Sequence, residues 1–509
     1  MSSQPKKVNV FVYNNCSKDA RVLKEAASLT KAGFEVKIVA VLDNVTIPLE
    51  KRNGFEIHRI KRESLHVRVI SFFRKIFNAI RFVLLFPLRL LIRILTFLIK
   101  LVYDPSTSTT DNESSMEEDS KFDRMSRILR NPHFYTVKDY LYVFGIEKSR
   151  KEHVITIFLA IIGLPFYIVG RAVAKVFHVF QVWFFGLIKS TLMPYHRNSV
   201  FEDYYEKAAL FCEEFPADIL HFHDLHTLPI IGYLKSPEKV KMVYDSHELY
   251  TEIHTLNADQ KKKYTKIESE QIHVVDHVIT VNKSIARELS ERYGVKEPTI
   301  VMNCPPAMLK VPEKSALLRN KAGIKSDELV ILYQGGYSTG RGLEELILSM
   351  KYVKNGSLVM MGWGPIEDDL RALASKNGLA SKIKFIPPAE QHEVLKYTCG
   401  ADLGIIPYRA IGLNNYYTSP NKLFEYIQAY VPVAGSDFPE LKRIIEGHEI
   451  GGLFNPDDPE SIGNCINILL SDKEELARLR NNVITTSELY SWEVEEKKLV
   501  SIYQNLIQN

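Results

Sequence analysis

At 509 residues the chain is longer than one hydrophobic core organises, so two or three domains are expected. Its 46% hydrophobic and 25% charged residues form a globular balance, and a net charge of +4 argues against a nucleic-acid binder. Five scattered cysteines (Cys16, Cys212, Cys304, Cys399, Cys465), none at metal-ligand spacing, indicate a reducing, cytosolic compartment, and the polar first seven residues carry no secretory signal.

Residues 8–13 are a short apolar run suited to a buried parallel strand. The polar loop 14–17 leads to a helix over 19–31, with Ala20, Leu23, Ala26 and Ala27 at helical spacing and a stop at Gly33; residues 34–41 are the next strand. This strand–loop–helix–strand opening is the first unit of a doubly wound sheet. Its loop has no G-x-G-x-x-G pattern, which argues against a dinucleotide cofactor.

From about residue 65 the composition changes. Between Ser64 and Tyr103 there is no acidic residue, while Arg68, Arg74, Lys75, Arg81, Arg89, Arg93 and Lys100 are basic. At roughly 100° per residue, Arg74, Arg81, Arg89, Arg93 and Lys100 share one side of a helix. The fifteen Leu, Ile, Phe and Val residues between Ile80 and Ile99 favour insertion by about 5–9 kcal/mol, against about 5–7 for central Arg89 and Arg93. Spanning is thus close to balanced, and Pro87 is expected to break the run. A helix lying in the interface keeps the apolar gain and turns each basic residue into about 1 kcal/mol of attraction to anionic lipid. A buried core helix with snorkelling arginines is the alternative.

Residues 104–123 read as a flexible acidic linker. Residues 154–170 then run without a charge, at the lower limit for a span, and contain Gly163 and Pro165; Arg171, Lys175 and Lys189 punctuate the Phe-rich stretch that follows. The whole of 65–194 is expected to be a membrane-docking insertion, interfacial or re-entrant, with a short span as the alternative.

The α/β pattern resumes with a helix over 201–215, a strand over 218–224, a helix from Leu228, and a strand over 241–244 that ends in Asp245, Ser246, His247 and Glu248. A helix over 261–275 and strands over 277–282 and 299–302 follow, and Pro305-Pro306 is a plausible hinge. A second sheet starts at 329–333 and takes strands from 358–361, 383–386, 403–406 and 431–434. The expected domains are residues 1–64 with 195–304, then 305–490, with a last helix in 491–509 crossing back to the first.

Several residues are typed and spaced for chemistry. His223 and Asp224 stand at the carboxyl end of a strand, where open α/β sheets place ligands. His221, His223, Asp224 and His226 allow a metal reading, but no further ligands cluster with them in sequence, and no metal is expected. Asp245 and Glu248 end the next strand as acceptor-side carboxylates, a helix cap being equally open for Asp245. Gly335, Gly336 and Arg341 lie in a Gly-rich loop between a strand and a helix, where glycines allow close backbone approach and an arginine forks onto phosphate oxygens. Ser419 reads as a helix N-cap with Pro420 at the first helical position, followed by Asn421, Lys422 and Glu425; such a helix start favours anions.

The stretch from Thr418 to Val433 resembles the nucleotide-sugar signature of family 4 glycosyltransferases, retaining enzymes of the GT-B fold. The resemblance implies two Rossmann-like domains facing across a cleft and assigns Glu425 to the ribose of a nucleotide-sugar donor. The family's usual second glutamate, eight residues earlier, is Tyr417 here. The loop with Arg341 is similar to the family's phosphate-binding loop, although Gly336 stands where a second arginine is common and Lys422 is left to supply that charge. Gly362 and Gly364 resemble the family's turn near the nucleoside, and Ile386-Pro387 the segment whose backbone reads the base. By the same resemblance His223 faces the donor sugar, and Asn15, Asp19 and Arg21 belong to the acceptor side. No cofactor is implied, because a diphosphate held by cations and helix ends needs no metal, and the front-face mechanism needs no glycosidase-type carboxylate.

These readings together imply a glycosyltransferase at the cytoplasmic face of a membrane. It would move a sugar, with retention, from a nucleoside diphosphate to a lipid-linked or otherwise membrane-held acceptor in glycan or glycolipid synthesis, with His223, Arg341 and Glu425 as catalytic residues. Self-association into a homo-oligomer is open. The alternatives are a GT-B sugar-nucleotide epimerase and a degenerate, non-enzymatic membrane-binding GT-B protein.

Overall fold

The computed structural model describes residues 5–102, 154–308 and 315–508; the expected linker at 104–123 lies outside them. The chain divides into two compact units, residues 62–203 and the remainder.

The larger unit holds two sheets. The first has the order β3-β4-β2-β1-β5-β6-β7-β8, built from β1 (Lys7–Phe11), β2 (Glu35–Leu42), β3 (Leu49–Arg52), β4 (Phe55–Lys61), β5 (Ile219–His223), β6 (Lys241–Ser246), β7 (His277–Thr280) and β8 (Thr299–Ile300). Every pairing is parallel except the edge hairpin of β3 with β4. That hairpin was not expected from the apolar pattern. Its cue is Asn53-Gly54, both at positive φ (48° and 86°), the dipeptide that tight two-residue turns require. The second sheet is entirely parallel, in the order β11-β10-β9-β12-β13-β14, from β9 (Val330–Gln334), β10 (Ser357–Met361), β11 (Ile383–Ile386), β12 (Leu403–Ile406), β13 (Val433–Ser436) and β14 (Gly451–Phe454).

Strands β1, β5, β9, β10 and β12 are buried over nearly their whole length, as expected for sheets covered by helices on both faces. The helix Ala20–Lys31 begins at Asp19, whose side chain caps the Val22 N–H. The segment from Leu228 forms a short 3-10 helix to Tyr233 rather than an α-helix, since Pro229 and Gly232 leave it too few good helical residues to propagate. The last helix, Trp492–Gln508, packs Trp492, Leu499, Ile502 and Tyr503 into the core of the first sheet. Its Trp492 indole donates to Ser28 Oγ (2.9 Å), and Tyr503 hydrogen-bonds His221.

The smaller unit is built on two long helices, Leu65–Val102 and Val154–Leu192, packed on each other. Pro87 does not break the first, which runs through it; the flanking Leu, Ile and Phe residues propagate the helix and the partner helix packs against it. Phe73, Phe77, Phe177, Phe180, Phe184 and Phe185 stack between the helices, with Phe77, Tyr167 and Ala174 buried at the seam. Outside the seam the surface is apolar: Phe72, Phe82, Val83, Val169, Val176 and Trp183 are all more than half exposed. Neither helix contains an acidic residue. Residues 164–195 are long and apolar enough to cross a membrane by length and composition. Of the basic residues, Arg74, Lys75, Lys175 and Lys189 are exposed and Arg81 is half-buried, while the side chains of Arg89, Arg93 and Lys100 lie outside the described ones.

Candidate active site

The two sheets of the larger unit are separated by a cavity of about 630 Å³. Its second-sheet wall is made by the loop after β9, the loop after β12 and the helix Asn421–Gln428. Its first-sheet wall is made by the loops after β6 and β7.

The loop after β9 turns at Gly335 (φ 127°) and lies tightly against the loop after β10. Tyr337 N–H donates to the Trp363 carbonyl (2.8 Å) and Gly335 N–H to that of Met361 (3.0 Å). A Cβ on Gly362 would sit 1.9 Å from the Gly335 oxygen and one on Gly364 2.0 Å from that of Tyr337, so both glycines are sterically required. They set the loop from behind, and Gly335, not Gly336, Gly362 or Gly364, faces the cavity. Arg341 lines it, held by Ser338 Oγ (2.9 Å) and the Tyr408 hydroxyl, with its guanidinium 5.1 Å from the Tyr408 ring centre.

The signature helix starts one residue later than its sequence suggests. Pro420 is extended (ψ 149°) and is the N-cap residue itself, so Asn421 opens the helix. Ser419 does not cap it; its Oγ accepts instead from Asn282 Nδ2 of the first-sheet domain (3.0 Å). Asn421 Oδ1 accepts from Asn303 across the same divide (3.2 Å). The next residue, Lys422, is 5% exposed, and its ammonium has no hydrogen-bond partner. It lies 3.8 Å from the Tyr333 ring centre and 3.2 Å from where a Cβ on Gly335 would be. Burial, reinforced by nearby Arg341, pulls its pKa well below the ordinary lysine value. Glu425 accepts from Gln334 Nε2, and burial raises its carboxyl above the usual range against the pull of Gln334 and Lys422.

Ile386 and Pro387, the expected base-reading segment, do not line the cavity. The Ile386 carbonyl is taken by Gly362 N–H (3.1 Å) in the sheet's continuation, and Pro388 and Ala389 line the cavity in their place.

On the first-sheet side, His223 is 1% exposed and does not line the cavity. Its Nδ1 meets His247 Nε2 at 2.9 Å, and His247 is the ring at the cavity wall. Asp224, in a left-handed conformation (φ 61°), pairs with His247 Nδ1 (3.2 Å). Asp224 and Asp245 raise the His247 pKa well above its ordinary value although burial opposes it. Arg21 and Asp245 are core residues rather than acceptor contacts. The guanidinium forks onto both Asp245 oxygens (2.8 and 2.9 Å), donates to the Val301 carbonyl (2.7 Å) and lies 3.0 Å from Glu25. Arg21 thereby holds Asp245 well below the usual carboxylate range despite burial. Asn15 and Asp19 are spent locally, Asn15 on Asp43 and Ser17, Asp19 on its helix cap and Asn14.

Glu25, His221, His223 and Asp245 converge within 4.8 Å, the one group of metal-ligating types so placed among the described residues. Arg21 already supplies positive charge to both carboxylates there. Glu248, by contrast, faces the cavity and is hydrogen-bonded to Asn414 of the second-sheet domain (3.1 Å). Sequence reasoning missed Asn282, Tyr408, Asn414 and Asn415, and it passed over His247 in favour of His223. Only strand-end position could have flagged His247, since polar residues in loops look alike until they converge.

Two facing α/β domains with a cavity between them, walled by a glycine loop, an arginine and a lysine-bearing helix end, define a glycosyltransferase of the GT-B class. The comparisons agree. The model described as "Glycosyl transferases group 1" matches residues 315–486, and "Glycosyltransferase Family 4" matches residues 163–305. An uncharacterized glycosyltransferase of Methanocaldococcus jannaschii is 27% identical over 56% of this chain and 75% of its own. Among solved structures, a sucrose-phosphate synthase from Thermosynechococcus elongatus superposes with TM-score 0.61 at 14% identity, covering 99% of this chain and 100% of that one. HepE of Anabaena, in complex with UDP-glucose, gives 0.59 at 10% identity over 98% and 100%. The chain belongs to the group 1 glycosyltransferases of family 4 and is an enzyme of that class.

Proposed function

We propose that this enzyme transfers a sugar from a nucleoside diphosphate, with retention and without a metal, to a lipid-linked acceptor at the cytoplasmic face of a membrane. The observation that carries the donor is Lys422, a buried ammonium without a partner beside Arg341 in the same cavity. Burial and Arg341 disfavour the charged form of Lys422, and an anion arriving with the substrate would supply the partner that restores it. HepE, solved with UDP-glucose, makes uridine diphosphate the first nucleotide to try.

In the reaction, the acceptor hydroxyl oxygen bonds to the anomeric carbon as the bond from that carbon to the diphosphate oxygen breaks. The hydroxyl proton passes to a diphosphate oxygen on the same face, and the nucleoside diphosphate leaves. Arg341 and Lys422 stabilise the charge that develops on it, and Glu425 accepts hydrogen bonds from the ribose.

The membrane reading rests on the two long helices, whose outer surface is apolar with basic residues and no acidic ones. The test of the donor site is thermal stability against a panel of nucleoside diphosphates. One nucleotide should raise the melting temperature by several degrees in the native chain and not in Arg341→Ala. No shift with any nucleotide would overturn the donor assignment. Flotation with vesicles containing anionic lipid tests the other half, and Glu425→Ala should float like the native chain while losing nucleotide.

A further inference from the structure

The cavity has two carboxylates in its walls, one from each domain: Glu425 from the signature helix and Glu248 from the loop after β6. The Glu248 backbone is pinned, since its carbonyl accepts from both Ser246 Oγ and Tyr250 N–H (2.9 Å each). Its side chain is held from the other domain. Asn414, on the short helix Leu413–Tyr416, donates through Nδ2 to Glu248 Oε2 (3.1 Å) and accepts through Oδ1 from Leu249 N–H (2.9 Å). One amide therefore grips two successive residues of the opposite domain. Glu248 Oε1 is left without a partner among the described residues, and Asn415 and His247 line the same cavity. Such an oxygen, partly withdrawn from water, is an acceptor for vicinal hydroxyls.

We propose that Glu248 is the carboxylate that reads the donor's sugar ring, accepting hydrogen bonds from its hydroxyls, and that Asn414 is the positioning residue that delivers it when the two domains meet. The inference rests on the nucleotide-sugar reading above. Glu425 and the two cations hold the nucleoside diphosphate from one domain, and Glu248 adds the sugar contact from the other. A nucleotide without its sugar gains nothing from Glu248.

The experiment compares affinities of the full chain for UDP and GDP with those for UDP-glucose, UDP-galactose, UDP-N-acetylglucosamine and GDP-mannose. The reference is the sugar nucleotide with the highest affinity relative to its own diphosphate. Glu248→Gln should lower that ratio at least tenfold while leaving the diphosphate affinity within twofold. Asn414→Ala should do the same. Asn414→Asp keeps the acceptor for Leu249 N–H but sets a carboxylate against Glu248, so it should fail as badly as alanine. If Asn414→Asp restores the ratio, Asn414 only ties the loop and its positioning role is overturned. A ratio unmoved in Glu248→Gln overturns the inference alone, with the donor reading intact. A native chain that binds no diphosphate overturns both.

Discussion

On the first-sheet side of the cavity, Arg21, Glu25 and Asp245 are fully buried and pair with one another, whereas on the second-sheet side Lys422 is equally buried and its ammonium touches no acceptor. In the first arrangement Arg21 finds its counter-charges within the chain, forking onto Asp245 and lying against Glu25, whose two oxygens make no hydrogen bond, and it holds β1, β5 and β6 and their helices in place behind the cavity. The second leaves a charge for something outside the chain to satisfy. Burial alone does not separate structural from ligand-binding charges; an opposite charge in contact does, and Arg21 has one where Lys422 has none.

That contrast breaks most visibly if Arg21 is removed. Arg21→Met strands two buried carboxylates and should cost about 3–5 kcal/mol of stability, read by denaturant unfolding. A loss under about 1 kcal/mol, within the range of an ordinary surface change, would show that the network is slack. Lys422→Met should do the opposite on each count. Nucleotide-free stability should hold or rise, while calorimetric affinity for the nucleoside diphosphate should fall by roughly 1.5–3 kcal/mol, the worth of a hydrogen bond to a charged group. If Lys422→Met unfolds the protein and Arg21→Met does not, the two roles are exchanged.

The smallest effect sharpens the picture within the buried network. Asp245 is held below its ordinary 3.8, so its contribution is present above that pH and is lost only as pH falls through its lower native value. Glu25 is the reverse case, because burial outweighs the pull of Arg21 and raises its carboxyl above the ordinary 4.5. Its contribution is full below 4.5 and declines as pH rises toward neutrality. Glu25→Gln should flatten the stability profile over that interval and leave the acid limb unchanged. A profile of the same slope in the variant would place the titration elsewhere.

The parallel strands, the glycine loop with Arg341 and the helix bearing Lys422 and Glu425 were legible in the chain, because apolar runs, glycines and a proline at a helix start are local signals, although the start lies one residue later than Ser419 suggested. The edge hairpin at Asn53-Gly54 was legible as well and was passed over. Pro87 misled, since a proline's cost to a helix is local while the packing that offsets it comes from a partner helix far along the chain. His223 misled for a related reason. Alternation along β5 places His221 and His223 on one face of the sheet, but it does not say whether that face meets solvent or the helix carrying Arg21 and Glu25.

What the sequence determined by itself is the set of elements and the chemistry of the second-sheet wall, where Gly335, Arg341, Lys422 and Glu425 lie within about ninety residues and local rules place them. Tertiary structure alone decided which first-sheet residue reaches the cavity. His247 stands in front of His223, Arg21 is consumed by Asp245, and Glu248 meets Asn414 across 166 residues of chain. Periodicity and capping fix where a side chain leaves its own element. Which partner it finds there depends on how two separately folded sheets come together, and no local pattern encodes that.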